Sequence, residues 1–366
     1  MNNLIPSIRA KKLFSYFSQS IDAILIANSG YPFFDSNFRY LTDAQGGVFE
    51  GTFTVVTRKG TTIITSVLEE GIARKTGCRV IAYDSQKKMK SAIKASLKNR
   101  KIVGINEAGI SVSTVKFLRK NLKGIKLRNI AKELSKSRII KDDFEIDRLK
   151  KAARIASETA RKIPEIIRIG MTEREAAAEI DFLLRSFGAD APAFETIAAF
   201  GSATSLPHYQ SGNRKLKKGS TALFDFGALY KNYRSDITRT FLTKPIDRRI
   251  DKIYRVVLQA NRAAISRIRP GIKAKDLDAA ARKIISDAGY KKYFIHSTGH
   301  GLGVSEHDAG SISPRSKDIL KENMVFTIEP GIYLPRIGGV RIEDDVIVTS
   351  KGSNVITNAP RELIIL

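Results

Sequence analysis

An acid or a histidine interrupts an apolar or glycine-rich segment at five places in the second half of the chain: Asp225 in TALFDFGA, Asp236 in YRSDITRTF, His300 in HSTGHGLG, Glu329 in MVFTIEPGIY and Glu343 in GGVRIEDDVIV. Burying one ionised carboxylate costs on the order of several kcal/mol unless it is paired. Four buried together repel one another, so they stay ionised only if cations hold them. Two divalent cations match that charge, which points to a dinuclear site. The spacing agrees. Asp225 and Asp236 are eleven positions apart with a turn expected at residues 230–233, and Glu329 and Glu343 repeat the device around LPRIGG. Each pair can therefore converge across a hairpin. Four carboxylates and one imidazole, with no thiolate, suit Mn²⁺ or Co²⁺, leave Zn²⁺ as an alternative, and argue against a structural zinc site.

No single motif is specific. DFG at 225–227 also occurs in protein kinases, but no HRD or VAIK segment accompanies it here. The ordered set of five is specific, and it resembles the pita-bread metallopeptidases, which include prolidase, aminopeptidase P and methionine aminopeptidase. The resemblance implies two metal ions, with Asp225 chelating one, Asp236 and Glu343 bridging both, and His300 and Glu329 on the other. His208 in PHY and His307, seven residues after His300, match the family's substrate-side histidines. Tyr333 matches the tyrosine after EPG, and Arg341 the arginine two residues before the last ligand. FRYLTD at 38–43 resembles the signature of the creatinase-type amino-terminal domain, with Asp43 where a glycine is common. Methionine aminopeptidases generally lack that domain, which favours the proline-specific branch. The implied activity is hydrolysis of the Xaa-Pro bond at the amino terminus of short peptides. A homodimer is implied by the resemblance alone.

The expected chemistry is metal-assisted hydrolysis, with Glu329 as the proton shuttle. His208 and His307 would hydrogen-bond the substrate carbonyl or the developing oxyanion, and Tyr333, Arg336 and Arg341 are the further substrate-side candidates. His296, four residues before His300, reads as a supporting residue rather than a ligand. Substrate length is open. A strict dipeptidase needs a cation for the free carboxylate, which prolidases often supply in a segment like HExPR. Here the segment is HDAGSIS at 307–313, closer to aminopeptidase P, whereas the short YLPRIGG loop resembles compact prolidases and offers Arg336 instead.

Two domains must position these residues. Residues 1–135 form an α/β amino-terminal domain of creatinase type: DAILIAN, GTFTVVTR, TTIITS, RVIAY, KIVGIN and IKLRNI read as strands, and SVLEEGIARKTG, KKMKSAIKASLKN and STVKFLRKNLKG as helices. No glycine-rich phosphate loop accompanies them. Residues 136–366 form an α+β pita-bread catalytic domain. Asp142 and Asp143 can cap a long amphipathic helix that Pro164 kinks or ends, and Thr172 with Glu175 forms a capping box for the next. Further helices are expected at about residues 245–269 and 275–289.

Length, at 366 residues, and an ordinary 42% hydrophobic content suit two globular domains. No run approaches the roughly 18 apolar residues of a membrane helix, and the first residues do not read as a signal peptide, so a cytoplasmic location is expected. The single Cys78 excludes an internal disulfide and a cysteine-rich metal site. The net charge of +26 is concentrated at residues 87–141, where 17 basic residues face only Glu107 and Glu133. Without aromatic interleaving this reads as solvated helix surface rather than a nucleic-acid site. The rival readings are a metal-free creatinase-like hydrolase, which has no reason to bury four acids, and a non-catalytic basic protein binding nucleic acid or protein.

Overall fold

The run AILIA becomes a strand with all five residues buried, β1 (Ala23–Ala27), following the helix α1 (Ile5–Phe14). The computed structural model describes residues 5–17 and 21–366 and divides into two units, Met1–Arg138 and Ile139–Leu366. In the first unit, helix α2 (Ser36–Thr42) is followed by β2 (Phe53–Thr57), β3 (Gly60–Ser66), helix α3 (Glu70–Arg74), β4 (Arg79–Tyr83), helix α4 (Gln86–Ser96), β5 (Ile102–Ile105), helix α5 (Val112–Asn121), β6 (Lys126–Asn129) and helix α6 (Ala131–Ile139). The sheet has the order β4-β3-β2-β1-β5-β6, antiparallel through β1, β2 and β3 and parallel at both flanks. Its core joins Leu25, Val55, Ile64, Val103 and Ile105 to Ile93 and Leu118 from the helices.

One local feature differs from expectation. The helix expected over residues 66–77 shrinks to α3, because Glu69 makes no side-chain cap and Gly71 weakens the interior. Leu68 is left 89% exposed. Asp43 closes α2 with φ 54, the left-handed conformation usual for glycine at a helix end, and its carboxylate accepts from Gln45 Nε2 at 3.1 Å.

The second unit opens with helix α7 (Asp143–Ile166), whose N-terminus is closed by a capping box of Asp142 and Glu145; Pro164 stands in its last turn. Helix α8 (Glu173–Ser186) starts with the Thr172–Glu175 capping box. Then come β7 (Ala191–Pro192), β8 (Ile197–Phe200), β9 (Thr221–Phe226), β10 (Ala228–Tyr230), β11 (Tyr233–Arg234) and β12 (Ile237–Leu242). Helices α9 (Arg248–Ile265) and α10 (Ala274–Asp287) precede β13 (Gly299–Gly301), β14 (Asp308–Ile312), β15 (Val325–Ile328), β16 (Gly331–Leu334), β17 (Gly338–Arg341), β18 (Asp344–Thr349) and β19 (Gly352–Val355). The sheets are β12-β9-β8, β11-β10-β7, β14-β13-β15-β18-β19 and the pair β16-β17. Two apolar clusters hold them: α7 and α8 against β8, β9 and β12, and α9 and α10 against β15 to β18. No helix among the described residues is long and apolar enough to cross a membrane.

Candidate metal centre

Strands β9 and β12 pair antiparallel with Asp225 opposite Thr238. Residues two apart share a face, so Asp225, Thr238 and Asp236 point the same way. Between these strands the chain turns at Lys231 and Asn232, with φ 45 and 72, as a two-residue hairpin turn of mirror-image type requires. The second hairpin, β16–β17, pairs Gly331 with Arg341 and Ile332 with Val340. Continuing that register places Glu329 opposite Glu343.

His300 lies in strand β13, between β14 and β15. Its flanking glycines serve close approach, beside a register shift between His300 and Gly301: a Cβ on Gly299 or Gly301 would lie 1.9 Å from the carbonyl oxygen of Thr327 or Ala309. The His300 Nδ1–H donates to Gly301 O at 3.1 Å, leaving Nε2 with its lone pair 3.6 Å from Asp236 Oδ2 and 3.5 Å from Glu329 Oε1. That bond sets the tautomer a metal ligand needs. Ligand atoms of Asp236, His300 and Glu343 lie within 4.8 Å of one another.

Burial, then Glu343 and Asp225, drives Asp236 well above the usual carboxylate range. Burial, then Glu329 and Asp225, does the same to Glu343. Burial pushes Glu329 up to about 7 against the opposing pull of Arg341. His300 is lowered by burial, so its ring is neutral and able to ligate. Asp225 Oδ1 is buried with no hydrogen-bond partner. Crowded carboxylates, an orphaned carboxylate oxygen and an imidazole lone pair turned toward them fit divalent cations.

Arg341 braces this group. Its Nη2 donates to Asp225 Oδ2 at 2.5 Å, Nε to Thr238 Oγ1 at 2.9 Å and Nη1 to Tyr333 Oη at 3.0 Å. Thr238 in turn donates to Glu343 Oε2 at 2.6 Å. The Tyr333 hydroxyl donates to His296 Nε2 at 2.8 Å, and His296 Nδ1 donates to Ser297 O at 2.8 Å. Burial, then Arg341, holds His296 down to about 4, so it stays neutral. His307 stacks on His300, ring centroids 3.9 Å apart and 11° between planes, while its side chain remains 66% exposed. His208 is exposed, yet near enough to act electrostatically on Glu329, His296 and His307. Arg336 is exposed at the β16–β17 turn with φ 66.

Sequence reasoning passed over three supports. Thr238 links Arg341 to Glu343, Thr327 Oγ1 accepts from His300 N at 3.1 Å, and Asp345 Oδ2 accepts from Asp236 N at 3.0 Å. Asp345, in the run EDD, was open to notice as a third adjacent acid; the two threonines carry no such signal.

A model of metallopeptidase family M24 matches residues 147–350, and one of the creatinase/prolidase N-terminal domain matches residues 13–140. The Xaa-Pro dipeptidase of Pyrococcus horikoshii is 37% identical over 98% of this chain and 99% of that protein. Among solved structures, an Xaa-Pro dipeptidase from Bacillus anthracis is similar with a TM-score of 0.91 at 34% identity, covering 99% of this chain and 100% of that one. An X-Pro aminopeptidase from Thermotoga maritima is similar with a TM-score of 0.90 at 31% identity, covering 98% and 99%. The chain belongs to metallopeptidase family M24 and carries that family's pita-bread catalytic domain behind a creatinase/prolidase N-terminal domain.

Proposed function

We propose that this protein is a dinuclear-metal peptidase that hydrolyses the bond between an amino-terminal residue and proline in short peptides. The observation that carries the reading is the under-neutralised group of buried Asp236 and Glu343 with partly buried Asp225 and Glu329 around the free lone pair of His300. Those five side chains would hold two divalent cations, Mn²⁺ or Co²⁺ by the hardness of the donors. The proline specificity is taken from the relatives named Xaa-Pro dipeptidase and X-Pro aminopeptidase.

The chemistry supplied by the cations when bound is polarisation of the scissile carbonyl and activation of water. Glu329, with its carboxyl near 7, accepts a proton from water and returns it to the departing proline nitrogen. His208 and His307 donate hydrogen bonds to the substrate carbonyl oxygen as negative charge builds there. Arg341 is committed through Nε, Nη1 and Nη2 to Thr238, Tyr333 and Asp225, so it orients ligands rather than substrate.

The substrate range extends beyond dipeptides, because the HDAG segment lacks the arginine that would recognise a free proline carboxylate. The test compares an Xaa-Pro dipeptide, its amide and an Xaa-Pro-Xaa tripeptide. A charge-assisted contact to the free carboxylate would separate the dipeptide from the other two by about 1.5–3 kcal/mol, more than tenfold, so without one turnover of the three within about tenfold is expected. Cleavage confined to the free dipeptide, and abolished in Arg336→Ala, would overturn this and make Arg336 the carboxylate partner.

A further inference from the structure

We infer that Glu173, remote in sequence from every candidate site residue, is a positioning residue that holds the His208-bearing loop. The inference rests on the role proposed above for His208. Glu173 is fully buried at the first position of α8. Its two oxygens collect three donors from one segment: Phe200 N–H on Oε1 at 2.9 Å, and Tyr209 Oη–H at 2.9 Å with Gly212 N–H at 3.0 Å on Oε2. The nearest guanidinium nitrogen, Arg214 Nε, is 3.8 Å away on a half-exposed side chain. The positive end of the α8 dipole supports the charge instead.

The loop between these contacts has a second anchor. Gly339 N–H donates to Thr204 Oγ1 at 2.7 Å, and a Cβ on Gly339 would lie 2.3 Å from Thr204 O. Thr204 is thus pinned to β17, the strand that ends at Arg341. His208 stands between the two anchors, adjacent to Tyr209, and is itself exposed. A buried carboxylate suits this task because both its oxygens accept. An amide has one oxygen, so Glu173→Gln must turn an N–H₂ group toward at least one of the three donors.

The test is a double-mutant cycle on turnover of an Xaa-Pro substrate by the metal-loaded full-length enzyme, with metal content and melting temperature measured in parallel. His208→Ala should lower kcat, as removal of an oxyanion donor does. Glu173→Gln and Tyr209→Phe should each lower kcat by about tenfold, with bound metal unchanged; an unchanged kcat in both would overturn the proposal. On the His208→Ala background neither should lower kcat by more than about twofold. Full, additive losses on that background would overturn the proposal and make Glu173 a residue of general stability. If His208→Ala leaves kcat unchanged, the role of His208 falls and this proposal falls with it. Should Glu173→Gln not fold, Tyr209→Phe carries the cycle alone, because it removes one bond from a partly exposed side chain.

Discussion

Glu343 and Asp344 are neighbours in sequence with opposite surroundings. Glu343 faces Asp225, Asp236 and Glu329, and the guanidinium that reaches the group is Arg341. Asp344 points the other way, into cations supplied by the chain itself: Arg239 Nη2 at 2.8 Å and Arg361 Nε at 2.6 Å, joined by Thr357 Oγ1 at 3.0 Å. Arg239 also donates to the carbonyls of Thr238, Glu343, Ala359 and Pro360, tying the carboxyl-terminal segment to the backbone of two site strands. Successive residues leave a strand on opposite faces, so one dipeptide serves both groups. Charge that holds the fold is neutralised from within, whereas in the proposed arrangement the four site acids have one internal guanidinium, Arg341, and the remaining charge is left to be neutralised from solution.

The contrast breaks most visibly at Asp236. Asp236→Asn should reduce bound metal well below the two ions per chain proposed for the wild type, since it serves both centres in the proposed arrangement. It should lower turnover by about 10³-fold, the loss of several kcal/mol of transition-state stabilisation. Wild-type metal content in the variant would remove the distinction between the two groups.

Next in size is the balanced group. Asp344→Asn leaves Arg239 and Arg361 without their anion, and breaking a buried pair from one side costs about 3 kcal/mol or more. Denaturant unfolding of the chelator-treated variant reads this directly. A change under about 0.5 kcal/mol would show that Arg239 is held by its carbonyl bonds alone.

A smaller effect sharpens the comparison through pH. Glu329 is raised by burial from an ordinary 4.5 to about 7, so the folded chain binds its proton more tightly than the unfolded chain does. The stability this contributes is fully present below about 4.5 and lost as pH rises through 7. Chelator-treated wild type should therefore melt a few degrees lower at pH 7.5 than at pH 5, relative to Glu329→Gln, and added Mn²⁺ should cancel the difference. A chelated wild type that gains stability over Glu329→Gln across that range contradicts it.

Much of this was legible in sequence for a physical reason. An acid between β-branched and aromatic residues, as in TALFDF or VFTIE, violates the strand pattern that surrounds it. The helix starts at Asp142 and Thr172 were equally readable, because capping is local. Glu173 was not. A glutamate after a capping threonine looks like any first-turn acid, and only the tertiary fold brings Phe200, Tyr209 and Gly212 onto it. Arg239 was hidden in the same way. In DITRTF it reads as an outward residue of an alternating strand, yet β12 is buried along its whole length and the arginine is 2% exposed.

The hairpin β16–β17 also says how this gene can be edited. Its register sets Glu329 against Glu343 across a tip at residues 335–337 whose Pro335 and Arg336 are exposed. Length added at the tip lengthens a loop and leaves the pairing in phase. One residue inserted within β16 or β17 shifts the phase by half a pleat and sends a carboxylate to the opposite face. Insertions and deletions tolerated in laboratory evolution should therefore collect at the tip and spare the four residues on either side, whatever their composition.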